Sequence, residues 1–388
     1  MRVVDLFAGC GGMSNGFGQA GHDVVAAFEY WNEAIKCYSE NFNHPIFEQD
    51  LSNFEEAAQL ITPFRPEMII GGPPCQDFSH AGKRSEGDRA NLTNAYAEII
   101  RMVKPKWFVM ENVDRSRTSR AFAQARAIFK EAGYGLTEKV LDASLCGVPQ
   151  KRKRFFCIGL LGSNDGFLDE LIESKVSATP MTVRDYLGNQ LGVDYYYRHP
   201  RNYSRRGVFS IDEPAPTIRG VNRPVPKGYT GHPNDVAPVN DQLRELSTYE
   251  RSLIQTFPPN FIWVGNKTTL EQMIGNAVPV NLARFVGEVI SEYEEELLSI
   301  NKELVANDEQ QFDRWLKERL GFTDKSARDV RSRIKRASNY IDLNKKVTDA
   351  ELLFSLTQHP EFGNLSVTVK SQLKRSVKLF REFNNVSN

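Results

Sequence analysis

The chain predicts an α/β fold: a doubly wound, mostly parallel, Rossmann-like sheet, then a small loop-rich domain and a helical C-terminal extension. Three observations carry this prediction. In the first part of the chain, short β-rich runs alternate with segments of helical periodicity, the pattern of βαβ units. Glycines, acids and a cysteine fall just past the ends of the apolar runs, which is the ligand edge of such a sheet. After about Thr179 the alternation stops, and the chain to about Asn240 is rich in Pro, Gly, Tyr and Arg.

Taken in order, Arg2 to Phe7 reads as a strand, followed by glycines and a helix from about Ser14 to Ala20. Val24 to Phe28 is a second strand ending at Glu29, and Asn32 to Asn41 a helix. Ile46 to Gln49 is a short strand ending near Asp50. Met68 to Ile70 is a buried strand closed by glycines, Leu92 to Val103 a helix, and Trp107 to Met110 a strand ending at Glu111. Helical periodicity resumes over Leu243 to Gln255, and Gly275 to Val289 reads as a glycine-opened strand or turn and a helix. Ser291 to Leu304 is a charged helix, and Gln311 to Phe383 holds three or four amphipathic helices. The expected domains are 1–180, 181–255, a return segment 256–299 completing the first, and a helical domain 300–388.

At 388 residues the chain is long enough for two to three domains. No apolar run approaches the roughly 20 residues of a membrane helix. Met1-Arg2-Val3-Val4-Asp5 lacks a signal-peptide core, so a cytoplasmic protein with no membrane partner is expected. Five cysteines without CxxC spacing argue against a zinc site or a disulfide framework. No metal is expected. Net charge is zero, so a nucleic-acid partner is not announced by bulk charge. Local basic patches exist at Tyr195–Arg206, YYYRHPRNYSRR, and at Lys325–Lys346.

Two loops carry chemistry. Asp5-Leu6-Phe7-Ala8-Gly9-Cys10-Gly11-Gly12 is a glycine-rich turn after the first strand, suited to close approach by a ligand. It departs from GxGxxG because Ser14 stands in place of the third glycine, which disfavours a nicotinamide oxidoreductase. Asp5, Glu29 and Asp50 lie at or near three successive strand ends, a series that suits a cation, a ribose and an adenine amino group. S-adenosylmethionine fits that description. For any single acid, a cap or turn role is the plainer reading. Gly71-Gly72-Pro73-Pro74-Cys75-Gln76 holds a thiol on a stiff turn at a strand end, a candidate nucleophile, although most cysteines are only small buried hydrophobes.

Taken together, these motifs resemble the cytosine-C5 DNA methyltransferases of bacterial restriction–modification systems, over residues 1 to about 295 and in the family's order. DLFAGCGGMSNGF at Asp5–Phe17 is similar to the cofactor loop, and FEY at Phe28–Tyr30 and Asp50 to the next two cofactor motifs. GGPPCQDFSHAGKR at Gly71–Arg84 is similar to the catalytic loop, and MENV at Met110–Val113 to the catalytic glutamate motif. QKRKR at Gln150–Arg154, RELSTYERSLIQTFP at Arg244–Pro258 and GNAVPVNLA at Gly275–Ala283 match the remaining motifs. After MENV the chain continues Asp114-Arg115-Ser116, where the family often has glycine or leucine.

The resemblance implies a class I methyltransferase using S-adenosyl-L-methionine and releasing S-adenosyl-L-homocysteine. It implies catalysis by Cys75, Glu111, Arg152 and Arg154. The thiolate adds to C6 of a cytosine flipped out of the duplex, and C5 takes the methyl group. Glu111, protonated or sharing a proton, would serve N3, and Asn112 would fix the loop or the amino group. Expected cofactor residues are Asp5, Phe7, Gly9, Cys10, Gly11, Glu29, Tyr30, Asp50, Leu51, Pro74, Leu92, Asn276 and Val278. Expected DNA contacts are Ser79, Lys83, Arg84, Arg201, Arg205, Arg206, Thr217, Arg219 and Arg223, with the segment from Asp77 to about Asn94 closing over the flipped base. The partner is double-stranded DNA. A cognate restriction endonuclease shares the target sequence without needing to bind, and the protein is expected to be a monomer. The alternatives are a tRNA cytosine methyltransferase of the same fold and an inactive DNA-binding regulator. The resemblance does not reach the last residues; their basic face suggests an auxiliary DNA-binding module, with a protein-contact module as the alternative.

Overall fold

The computed structural model describes residues 1–74, 91–200, 202, 204–343, 345 and 347–387, with only the backbone for residues 91, 300–308 and 385–387. Two compact units emerge, Met1–Tyr293 and Glu294–Asn388.

The first unit is built on a seven-stranded sheet. Its strands are β1 (Arg2–Leu6), β2 (Asp23–Glu29), β3 (Ile46–Glu48), β4 (Met68–Gly71), β5 (Trp107–Val113), β6 (Tyr134–Asp142) and, after the two-residue β7 (Gln150–Lys151), β8 (Lys153–Leu161). The spatial order is β3-β2-β1-β4-β5-β8-β6. The pairings β1–β2, β2–β3, β1–β4 and β4–β5 are parallel, whereas β8 is antiparallel to both β5 and β6. Order reverses beside β1, which places the crevice for a ligand past the carboxyl ends of β1 and β4.

The central strands read as continuous apolar runs because both faces are covered. Val3, Val4 and Leu6 of β1, Met68, Ile69 and Ile70 of β4, and Trp107, Phe108 and Val109 of β5 are fully buried. The helices lie between strands in sequence: α1 (Gly12–Gln19), α2 (Asn32–Ser39), α3 (Phe54–Ile61), then Asn91–Val103 and Arg120–Glu131. The last has Ser119 as N-cap, accepting from Phe122 N–H. Tyr96, Phe108, Phe122, Phe129 and Phe155 fill one core with the small residues Ala97 and Ala125.

The strands and helices expected as far as Glu111 fall within a few residues of their expected places, and α3 was not expected. β5 runs further than expected, since Asn112 and Val113 continue it opposite Phe155 and Arg154 of β8. Neither β6 nor β8 was expected. The segment from Gly275 onward is also different: Gly275 and Asn276 end the helix Lys267–Asn276, and Val280 opens the next helix, Val280–Leu320. Gly275 is required there because a Cβ would strike the backbone of Arg219 and Gly220. Gly12 and Gly16 of α1 similarly face the carbonyls of Val278 and Val280.

The loop-rich region carries two short strands, Tyr195–Tyr197 and Val208–Ser210, paired antiparallel, and Ala215–Pro216, paired parallel with β7. Its core joins Tyr196, Phe209 and Ile211 to Ile254 and Ile274, so it packs on the helices that come after it in the chain. Tyr196 and Tyr197 are buried, as core residues.

Gly16→Ala should destabilise the protein by about 1–3 kcal/mol, because backbone atoms of Val280 and Arg284 occupy the methyl position. Gly18→Ala, with nothing within 4 Å of its added Cβ, should instead stabilise by about 0.5–1 kcal/mol. Urea denaturation of both variants measures the contrast.

Candidate active site

A cavity of about 590 Å³ opens at the carboxyl ends of β1, β2, β4 and β5. Its wall includes Asp5, Phe7, Gly9, Cys10, Glu29, Pro74, Glu111, Arg154, Asn276 and Val278, residues expected at the site from sequence. Gly12, Met13, Trp31, Gly72, Pro73, Asn112, Gln272 and Met273 also line it.

One end of the cavity is the glycine turn. Phe7, Gly9 and Gly11 all have positive φ, 56°, 54° and 93°, which curls the backbone over the end of β1. Glu29 holds this curl. Its carboxylate accepts from Gly9 N–H at 2.7 Å, Tyr30 N–H at 2.8 Å and Trp31 N–H at 2.9 Å. Asp5 is buried and accepts from Ser14 Oγ at 2.6 Å. Ser14 in turn meets the Tyr38 hydroxyl, and that hydroxyl meets His44 Nε2. Burial pushes the Asp5 carboxyl up to about 7, against the opposing bond from Ser14. Its Oδ1 is buried without a hydrogen-bond partner among the described residues. Ser14, which departs from the dinucleotide fingerprint, therefore has a definite task on Asp5.

The other end is formed by β5 and β8. Glu111 is 7% exposed and pairs with Arg154 Nε at 2.8 Å. Desolvation raises the Glu111 carboxyl above its ordinary value, while Arg154 and Arg152 pull it down. Asn112 donates to Pro73 carbonyl at 2.9 Å and so ties the end of β5 to the Gly72-Pro73-Pro74 turn. Cys75 itself, with Ser79, Lys83, Arg84 and the rest of 75–90, lies outside the described residues. The other four cysteines, Cys10, Cys37, Cys146 and Cys157, are free and buried. Burial pushes every one of those thiols up, Cys146 to about 12 and Cys10 and Cys157 well above their ordinary value, so none of the four supplies a thiolate at neutral pH.

Several sequence expectations are displaced. Arg152 does not line the cavity. It is 1% exposed, and its guanidinium donates to the carbonyls of Ile218, Gly275 and Ala277 at 2.9–3.0 Å. Tyr30 is 55% exposed, and its neighbour Trp31 forms the wall in its place. Asp50 is exposed and caps its own turn by accepting from Ser52 N–H. Leu51 is buried in the sheet core, and Gly11 and Leu92 are not on the wall. Trp31, Gln272 and Met273 were not expected. The first was signalled only by adjacency to Glu29, and the other two by their helical spacing ahead of Asn276.

A second, basic cleft of about 490 Å³ is lined by Lys151, Arg198, Arg205, Arg206, Thr217 and Arg219, with Glu213 as its acid. Thr217 Oγ1 donates to Lys151 carbonyl at 2.7 Å, and Gln150 Oε1 accepts from Ile218 N–H at 2.9 Å. Arg219 donates to His199 carbonyl at 2.6 Å, and Arg251 donates to the Arg219 carbonyl. Arg206 pairs with Glu213 and lies 4.3 Å from the Phe209 ring centroid. Arg223 is not on this cleft, and Arg201 lies outside the described residues.

The cavity thus joins an acid-bearing glycine turn to a Glu–Arg pair beside a Pro-Pro turn. The chain matches the model of the C-5 cytosine-specific DNA methylases over residues 1–292, and it belongs to that family. It is 56% identical over 298 residues to the Type II methyltransferase M.HindV of Haemophilus influenzae, covering 76% of this chain and 98% of that one. It is 54% identical over 294 residues to the Type II methyltransferase M.HgiDI of Herpetosiphon aurantiacus, covering 76% and 95%. The solved structure of S. pombe Dnmt2 methyltransferase shares the fold, with TM-score 0.57 at 19% identity over 76% of this chain and 99% of that one. The protein is therefore a class I, S-adenosylmethionine-dependent enzyme that methylates C5 of cytosine in DNA. The tRNA, inactive-regulator and oxidoreductase readings give way to it.

The cavity suits that cofactor. The unpartnered Asp5 oxygen is an acceptor for a cationic group, the curled turn exposes backbone close to the cavity, and Trp31 and Phe7 offer aromatic surface.

Arg152→Met should cost about 3–5 kcal/mol in urea denaturation, because three buried carbonyls lose their donor. Asp5 keeps its proton to about pH 7 when folded but releases it near 4 when unfolded. The native state then holds the extra proton between those values, so cofactor-free stability falls as pH rises through that window. Thermal denaturation from pH 4 to 8 should show this decline, flattened in Asp5→Asn.

Proposed function

We propose that the enzyme methylates one cytosine of a specific duplex sequence through a covalent adduct between Cys75 and C6 of the flipped base. The observation that supports this best is the Glu111–Arg154 pair, joined through Asn112 to the turn that precedes Cys75, on the same cavity as Asp5 and Glu29. Cys75 would attack as a thiolate, and the ring becomes an enamine whose C5 is nucleophilic. Glu111, raised by desolvation, would share a proton with N3 as charge develops on the ring. Arg154 would hold Glu111 and face the base. Arg152 acts as a positioning residue, since its guanidinium is committed to backbone carbonyls.

The cofactor supplies the methyl group as a sulfonium. Asp5 would take its ammonium group, Glu29 and Trp31 its ribose and adenine, and Phe7, Gly9, Cys10, Pro74, Asn276 and Val278 the remaining wall. Glu29 already accepts three backbone bonds, so the acid that would meet the ribose is fixed before the ligand arrives. The basic cleft at Arg198, Arg205, Arg206 and Arg219 is the proposed place for target DNA, with Thr217 on its wall. Ser79, Lys83 and Arg84 would meet the phosphates. The relatives are named Type II methyltransferases, which supports a role in protecting host DNA from a cognate endonuclease. The enzyme would work in the cytoplasm, as a monomer.

Cys75→Ser should abolish methyl incorporation into duplex DNA and prevent adduct formation with a 5-fluorocytosine duplex. Glu111→Gln should lower kcat by about 10²–10⁴-fold while leaving DNA affinity near that of the parent. Full-rate incorporation by the Cys75 variant would overturn the covalent mechanism. Unchanged kcat in the Glu111 variant would overturn its role at N3.

A further inference from the structure

The family model stops at residue 292, just before the second unit begins, and the match to M.HindV covers 98% of that protein but 76% of this chain. The second unit has its own apolar core. Phe312, Leu316, Ala327, Val330 and Phe383 form one cluster, and Ala337, Leu352, Leu356, Phe362, Leu373 and Val377 another. The helices Asp324–Ser338 and Val367–Ser387 turn their apolar residues into these clusters.

Charge is divided unevenly along the chain. The first unit, Met1–Tyr293, carries 32 Lys and Arg against 34 Asp and Glu, a net −2, and the second, Glu294–Asn388, carries 17 against 15, a net +2. Within the second unit the acids gather at its start: residues 294–310 carry one Lys against six acids, and residues 311–388 carry 16 Lys and Arg against nine Asp and Glu, a net +7. Several acids of this unit are spent internally. Asp313 pairs with Lys317 and Arg331, Asp324 with Lys317, and Asp349 with Arg381. Lys325, Arg328, Lys335 and Arg336 on the first basic helix, and Arg375 and Lys378 on the second, are exposed and make no ion pair among the described residues. Besides the paired Asp324, Asp329 and Glu382 are the acids on the exposed sides of these helices.

We propose that this unit is a second DNA-binding surface, which holds phosphates of the duplex outside the target site through the outer faces of these two helices. DNA is favoured over an acidic protein because it is already the substrate of the covalently attached first unit. Once the target is engaged, neighbouring duplex is present at high effective concentration. The first unit, being close to neutral, supplies little long-range attraction of its own, and the basic helices from residue 311 onward would add it. The contact is to backbone charge and carries no sequence preference.

The test uses the full chain with Arg328, Lys335, Arg375 and Lys378 all replaced by Gln, beside a charge-preserving variant with Arg and Lys exchanged at the same positions. Binding is measured against salt on a duplex limited to the target site and on one with long flanks. Each phosphate no longer neutralised should reduce the slope of log affinity against log salt by about 1, so the slope of the Gln variant on the long duplex should fall by about 2–4. It should bind the long duplex about tenfold more weakly at low salt, and match the parent on the short duplex and in saturated methyl transfer there. The charge-preserving variant should match the parent throughout. Parent-like affinity and slope of the Gln variant on the long duplex would overturn the proposal and leave the surface to a protein partner. An equal loss by the charge-preserving variant would also overturn it, since the effect would then be structural. Methyl transfer to the short duplex reports separately on the catalytic reading.

Discussion

One buried guanidinium holds the first unit's distant segments in register. Arg152 sits between β7 and β8, and its three acceptors come from the loop-rich region at Ile218 and from the helix end at Gly275 and Ala277. Its neighbour Gln150 extends the same stitch. Gln150 bonds both Ile218 and Gln255, and Gln255 reaches Ile274 and Ala277. Desolvation lowers the tendency of Arg152 to hold its proton, but an arginine starts so high that it stays charged. A buried cation of this kind costs free energy that only good hydrogen bonds offset. The gain is specificity of arrangement. The basic cleft, the cavity wall at Asn276 and Val278, and the Glu111–Arg154 pair are all fixed within a few residues of Arg152 or its acceptors.

The three acids of the cavity show how one charge type serves different ends. Glu29 accepts three backbone donors and shapes the turn. Glu111 is desolvated but has cationic neighbours, which moderate its rise. Asp5 has no cation beside it, only hydrogen bonding from Ser14, and burial carries it to about 7. A cationic ligand beside Asp5 would favour its ionised form, so binding of such a group at neutral pH would be linked to proton release.

The alternation of apolar runs and helical periods is enough to place β1 to β5, because a parallel sheet covered on both faces demands such runs. It is not enough for β8. Insertion of that strand antiparallel between β5 and β6 depends on long-range pairing of Phe155, Phe156 and Cys157 with β5, which no local pattern announces. At the site, the motif residues named from sequence are mostly at the cavity, since the glycines, acids and prolines that close successive parallel strands fall on one edge of the sheet. Tyr30 and Trp31 show the limit. Both are aromatic and adjacent, and the choice between wall and solvent follows from the way Glu29 binds both their amides and turns the chain. Arg152 shows another: a QxRxR run states that arginines are needed, but tertiary packing decides which one faces the cavity.

Packing also explains why the run of charged residues from Lys151 to Arg154 is not simply a solvated face. Arg152 and Arg154 are both largely buried, yet they serve different parts of the structure. Arg154 is aligned with Val113 across the β5–β8 ladder, two residues along from the Glu111–Phe156 pair, and offsets the charge of the cavity carboxylate. Arg152, at the break between β7 and β8, is free to gather carbonyls from segments far along the chain. Lysine could not substitute there: a point charge on a flexible stem cannot serve two carbonyls with one nitrogen and a third with the next in a fixed plane. The geometry of the guanidinium, rather than its charge, is what the fold uses.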